Sequence, residues 1–324
     1  NRNRAMLKYL IIPLADNSVS FCQYNSKQAH NLVTVGLLEK AVLWAMKSNL
    51  TIQFVYPREP IPANISDLIS SINHADIVPC DADSRNLLAD ADIVVVENWE
   101  SLNGYEFIKG QSYVVRTSLT ELLVNKKLLK ALLSKVFRIN IVLLDIPYIN
   151  ETALKDYDDL LHELIPDIVS EYTYGHQVQI NVLTDRLVLN RMNNCNAGYE
   201  SVTLAPNGNF YVCPAFYFNA MESIGDLEKG LDIKNPLLYK LNHAPICRSC
   251  DAWQCKRCVW LNKKITGEIN TPSHEQCSVA HIERNASRDL LLALREIDSE
   301  LLSQVEIPVI DYLDPFDNII NKIY

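Results

Sequence analysis

Glycine is scarce in this chain: there are nine in 324 residues, and before residue 190 only Gly36, Gly104, Gly110 and Gly175. Backbone comes closest to a bound cofactor through glycine-rich turns, and the N-terminal half has none. Positive charge is in deficit too, with 30 Lys and Arg against 39 Asp and Glu, a net charge of -9. That balance argues against a nucleic acid or an anionic membrane as partner, since both call for a concentrated basic surface. Long apolar runs are also missing. Residues 7–14, the first such run, contain Lys8, are far too short to span a bilayer and precede no small-residue cleavage site.

What is present is an ordinary globular composition, 48% hydrophobic and 21% charged, with room for a large domain and a small one. Clustered thiols without an export signal fit a reducing cytoplasm. The Asn-x-Ser/Thr triplets at Asn49, Asn64, Asn150 and Asn285 are then chance occurrences. Residues 1–5 read as a remnant of expression, with Met6 as the natural start.

Up to about residue 190 the chain alternates short β-rich runs with helical segments. Strands are expected at residues 7–14, 51–56, 91–97, 112–116, 137–145 and 177–183, and helices at 33–48, 65–73, 118–135 and 152–172. Near-continuous Ile, Val and Leu in the strands indicates a parallel sheet whose outer face is covered by the helices. Six such units are short of the roughly 250 residues of an eight-unit barrel, so the expected fold is α/β, an incomplete (β/α) barrel or an open sheet. After Arg191 the character changes. Asn193, Asn194, Asn196 and Gly198 are turn residues, and Pro206-Asn207-Gly208 signals a hairpin between strands at 201–204 and 209–212. A helix is expected at 277–301, followed by a tail whose Ile307, Val309, Tyr312, Phe316, Ile319 and Ile320 must dock.

Seven of the nine cysteines fall between Cys195 and Cys277: Cys195, Cys213, Cys247, Cys250, Cys255, Cys258 and Cys277. Two Cys-x2-Cys pairs four residues apart do not close as a disulfide framework, but they have ligand spacing for a tetrahedral metal. All-thiolate coordination means zinc or iron–sulfur. One structural zinc on Cys247, Cys250, Cys255 and Cys258 would leave the other three without a role. His243 and His274 flank the run as substitute ligands. Arg248, Lys256 and Arg257 are placed to offset an anionic centre, and Trp253 and Trp260 to shield it.

This pattern resembles the SPASM domain, the C-terminal module of many peptide-modifying radical SAM enzymes. Order, number and the Gly208-x4-Cys213 element match, while the family's CxxCx5Cx3C is shortened here by one residue in each of the last two gaps. The resemblance implies two auxiliary [4Fe-4S] clusters. Cys195, Cys213 and Cys258 would hold the first, with one iron open, and Cys247, Cys250, Cys255 and Cys277 the second. It divides the chain into a degenerate radical-SAM-like barrel at 6–190, a SPASM-like domain at 191–282 and a helix with docking tail at 283–324.

The barrel half lacks the chemistry that normally precedes such a module. Radical SAM enzymes carry CxxxCxxC after the first strand; the matching positions here are Ala15, Val19 and Cys22. Their Gly-Gly-Glu-Pro after the second strand is replaced by Pro57-Arg58-Glu59-Pro60, where proline lacks the N–H and the dihedral freedom of glycine. Relics at the right strand ends suggest a pseudo-radical-SAM protein, with no SAM bound. The Ser20-Phe21-Cys22-Gln23-Tyr24 loop, the second strand and the cysteine pattern together resemble the CXXX repeat peptide maturase family. That resemblance implies maturation of a ribosomally synthesised, Cys-containing precursor peptide, in which auxiliary clusters act without SAM-dependent radical initiation. A second reading stays open: a non-catalytic peptide-binding or delivery partner of another modifying enzyme, with structural Fe–S or Zn. Beyond these, Cys22 with His30 could form a nucleophile and base, Cys80 reads as a buried thiol, and Asp311, Asp314 and Asp317 read as solvated.

Overall fold

The computed structural model of the chain describes residues 7–192 and 194–320, without the side chains of 318–320. Met6, Asn193 and the side chains of Ile319 and Ile320 lie outside that description. In chain order the main strands are Tyr9–Pro13 (β1), Thr51–Val55 (β2), His74–Pro79 (β3), Ile93–Val96 (β4), Ser112–Thr117 (β5), Arg138–Leu143 (β6), Gln179–Ile180 (β7), Ser201–Leu204 (β8) and Phe210–Tyr211 (β9). The α-helices are Val35–Lys47 (α1), Ala63–Ser70 (α2), Arg85–Asp90 (α3), Leu119–Val124 (α4), Lys126–Leu133 (α5), Glu151–Thr173 (α6), Asp185–Val188 (α7), Pro214–Phe218 (α8), Val259–Thr266 (α9), His274–Ile297 (α10) and Pro315–Ile320 (α11). The architecture is the expected incomplete (β/α) barrel, parallel strands alternating with helices.

Two compact units interleave along the sequence: Asn1–Gly104 with Cys195–His243, and Tyr105–Asn194 with Ala244–Tyr324. In the first, strand order is β4-β3-β2-β1-β8, all parallel, with β9 antiparallel on β8. β1 pairs on both sides, Tyr9 opposite Thr51 in β2 and opposite Ser201 in β8. It is buried from Leu10 to Pro13, as a strand covered on both faces must be. Thr34 caps α1, which turns Leu38, Ala41, Val42, Trp44 and Ala45 inward. Trp44 packs on Phe210 of β9 with ring centroids 4.8 Å apart. The Pro206-Asn207-Gly208 turn joins β8 to β9, with Gly208 at φ +83°.

In the second unit β5, β6 and β7 run parallel, with Ser112 opposite Arg138 and Arg138 opposite Gln179. α6 and α10 meet through a hydrogen bond from the Tyr157 hydroxyl to Glu283, 2.8 Å. A Ser273–Gln276 capping box starts α10.

Three local expectations are corrected. β3 is not among the expected strands, because His74 and Asp76 interrupt its apolar run; they bond each other at 3.2 Å, which allows both to be largely buried. The expected helix at 118–135 is two, α4 and α5, separated at Asn125, whose side chain bonds the Glu121 carbonyl at 2.8 Å. β7 is two residues long, because the chain turns at Thr184, whose hydroxyl engages Ile180. Among the described residues no helix is long and apolar enough to cross a membrane.

Candidate metal centre

Four of the seven cysteines line one cavity of the second unit, of about 30 Å³: Cys247, Cys250, Cys255 and Cys277. Local backbone chemistry presents the first three. Cys247 opens a single tight turn, Cys247–Ser249, that closes with the Cys250 N–H on the Cys247 carbonyl. The Cys250 sulfur then accepts from the Ala252 N–H at 3.4 Å, and the Cys255 N–H returns to the Ala252 carbonyl at 3.0 Å. Cys277 comes from the first turn of α10. Gln254 ties loop to helix by donating to the Ala280 carbonyl at 2.6 Å. His281, one turn beyond Cys277, bonds the Cys277 carbonyl through Nδ1 and sets Nε2 3.8 Å from the Cys250 sulfur.

The electrostatics of the cavity disfavour free thiolates. Burial pushes the Cys250 thiol up to about 11. Cys255 and Cys277 are raised by burial first, and then by negative charge nearby, including that which Cys247 and Cys250 would carry. Burial raises Cys247 as well, against the pull of Arg257. Four clustered sulfurs that resist ionisation together are stable as thiols, or as thiolates on a positively charged core. Among the described residues no three His, Cys, Asp or Glu groups converge tightly enough to hold a single metal ion. The chemistry of the donor set, four cysteine sulfurs on one cavity, is that of an all-thiolate site, for zinc or an iron–sulfur cluster.

The remaining candidates are placed as follows. Cys195 is exposed and Cys213 half-buried in the first unit, where Cys213 precedes α8. Gly198, at φ +79°, lies against Tyr239: a Cβ there would come within 2.7 Å of the ring. Burial, and then the Cys213 charge, raise the Tyr239 phenol. Cys258 belongs to the second unit and caps α9, its sulfur accepting from the Leu261 N–H at 3.4 Å. Of the three expected cationic residues, Arg257 is buried and lines the cavity, with Asn270 as a hydrogen-bond partner. Lys256 reaches Asn140 at 3.4 Å, and Arg248 is exposed. Trp260 is buried, and Trp253 carries the Arg186 guanidinium 3.9 Å from its ring centroid. His274 bonds Asp314, which is buried rather than solvated; this pairing accounts for the departure from expectation. Cys80 is buried, as expected.

Where radical SAM proteins bear their first cluster, this chain has a packed polar turn. Ala15 and Val19 are buried and Cys22 is half-buried. Ser18 accepts from the Ala15 N–H at 2.9 Å, the Val19 N–H reaches the Tyr56 carbonyl, and Asp16 takes hydrogen bonds from Asn31 and Tyr217. Asn17 bonds both Glu59, at 3.0 Å, and the His30 Nδ1, at 2.8 Å. Arg58, which follows Pro57, pairs with Asp81 and Glu97 rather than with Glu59.

Sequence reasoning missed Asp251, Arg186, Glu283, His281 and Arg284. The last two had a signal: at four and seven residues beyond Cys277 they share its helix face. The others are brought in by tertiary structure and had none.

No protein-family profile matches the sequence, and no curated protein matches it. Among solved structures the fold is shared with anSMEcpe. The hexahistidine-tagged protein with bound AdoMet aligns with a TM-score of 0.61 at 12% identity, covering 92% of this chain and 97% of that one. Native anSMEcpe with bound AdoMet and the Cp18Cys peptide aligns at 0.58 and 12%, covering 90% and 99%. This chain thus has the radical SAM type of (β/α) fold. At that identity the likeness establishes the fold and nothing finer.

Proposed function

We propose that this chain matures a ribosomally synthesised, Cys-containing precursor peptide as a pseudo-radical-SAM protein with a SPASM-like cysteine region. The observation that carries the proposal is the gathering of Cys247, Cys250, Cys255 and Cys277 around one cavity. These four would hold one iron–sulfur cluster, and the cysteine pattern of the sequence implies a second. Bound there, such a group would supply iron chemistry with affinity for a peptide thiolate. The chain's own part is to bury the sulfurs, to orient the loop through Gln254 and His281, and to supply cationic side chains.

A peptide as partner is supported by the fold's use in anSMEcpe, whose structure holds the Cp18Cys peptide. AdoMet radical initiation is not proposed, because Ala15 and Val19 supply no ligand and Glu59 is engaged by Asn17. The bound AdoMet of anSMEcpe favours the opposite reading, an AdoMet-dependent enzyme. Anaerobic reconstitution separates them. We expect about eight irons and eight sulfides per chain, a broad absorbance near roughly 400 nm, and no 5′-deoxyadenosine from AdoMet. Formation of 5′-deoxyadenosine would reject the AdoMet-free mechanism, and zinc without iron would reject the clusters.

A further inference from the structure

We propose that Arg186 and Arg284, bridged by Asp251, form a buried cationic clamp that offsets the charge of the iron–sulfur group beside it and raises its reduction potential. The inference rests on the reading of the four-cysteine cavity as an iron–sulfur site.

Asp251 directly follows Cys250. Its carboxylate takes the Nε of Arg284 at 3.0 Å and the Nη2 at 2.6 Å, and faces the Nη2 of Arg186 at 3.6 Å. Arg284 is 0% exposed and Arg186 1%. Among the described residues, neither guanidinium is ion-paired with any carboxylate other than Asp251. Two buried cations thus share one anion, and one positive charge is left over. The Nε and Nη1 of Arg186 make no hydrogen bond, although its face is covered by Trp253. A buried cation with idle donors is costly, and a nearby anion would offset that cost. The four cysteines as thiols provide no such anion. As thiolates around an iron–sulfur core they would be net anionic, and cations within electrostatic reach of Cys250, as Arg186 and Arg284 are, would favour the reduced, more negative state. Arg284 and Cys277 share one face of α10, and Arg186 comes from α7, so the two cations are held by helices and only the bridging Asp251 by the ligand loop.

The experiment is a redox titration of the reconstituted full chain, followed by absorbance and electron paramagnetic resonance, with iron and sulfide measured on each sample. Arg186→Gln is expected to disfavour the reduced state at least about tenfold, a fall of about 59 mV for one electron. Asp251→Asn, which frees positive charge, shifts the potential in the opposite direction. Arg186→Lys, which keeps the charge, stays near wild type. These last two carry the test if Arg186→Gln is not recovered folded. In metal-free protein, Arg186→Gln melts no lower than wild type, because a buried cation with two idle donors has been removed. Variants that bind iron and sulfide at the wild-type level yet leave the potential unmoved, or move it the same way, would overturn the clamp. A wild type that takes up no iron and sulfide would instead overturn the reading beneath it.

Discussion

Glu283 shows how far one side chain departs from its ordinary chemistry in this fold. It lies on the inner face of α10, accepts from Tyr157 and Gln254, and is pushed up to about 7 by burial. A carboxyl raised from 4.5 to about 7 favours the fold while protonated. Its contribution is complete below about pH 4.5 and is lost as pH rises to 7, on the order of 3 kcal/mol in all. Chelator-treated protein should therefore lose stability across that window. Glu283→Gln should flatten the loss, as read from urea midpoints at about pH 4.5, 6 and 7.5. None of this was legible in the sequence, where Glu283 is one of many surface-like acids. Cysteine spacing, by contrast, showed the ligand run at once. Arg284 stood between, since its place on the Cys277 face follows from helical period but its partner Asp251 does not.

Among the elements, regular ones were legible and polar ones were not. β1, β2, β4, β5 and β6 centre on buried apolar residues, and the sequence pattern found them. β3 escaped because a buried His74–Asp76 pair replaces two apolar residues, and α4 and α5 merged because Asn125 interrupts the hydrogen bonding without interrupting the apolar period. α10 matters most to the proposed centre. Its Ser273 side chain accepts from the Gln276 N–H while the Gln276 side chain answers the Ser273 N–H. Ser273→Ala should cost about 1 kcal/mol and loosen the turn bearing Cys277. Iron release to a chelator should then be faster, with little change in helix content by circular dichroism. In the first unit, Gly225 marks a different constraint: a Cβ there would sit 1.9 Å from the Gly230 carbonyl oxygen. Gly225→Ala should open the small hairpin of Gly225–Asp226 and Gly230–Leu231, seen as proteolytic cleavage near residue 228.

For the whole molecule, the seven cysteines predict a divided metal content. Cys255→Ala should lose about half of the iron and Cys213→Ala the other half, if each removes one of two similar clusters. Equal loss of all iron from both would point to a single shared centre. The placement of β8 bears on the molecule in another way. β1 is flanked by β2 on one side and on the other by a strand that begins only at Ser201. A ribosome that has released only the first 190 residues has therefore delivered β1 with a bare edge of unpaired amides and carbonyls. Synthesis must run past residue 204 before that edge is covered, and the intervening stretch from Tyr105 to Asn194 belongs to the other unit. Cutting the gene at residue 190 to obtain a free-standing barrel should accordingly yield an aggregating fragment, whereas the full chain should elute as a well-defined species on gel filtration. No single cut divides this protein into two independently translated halves.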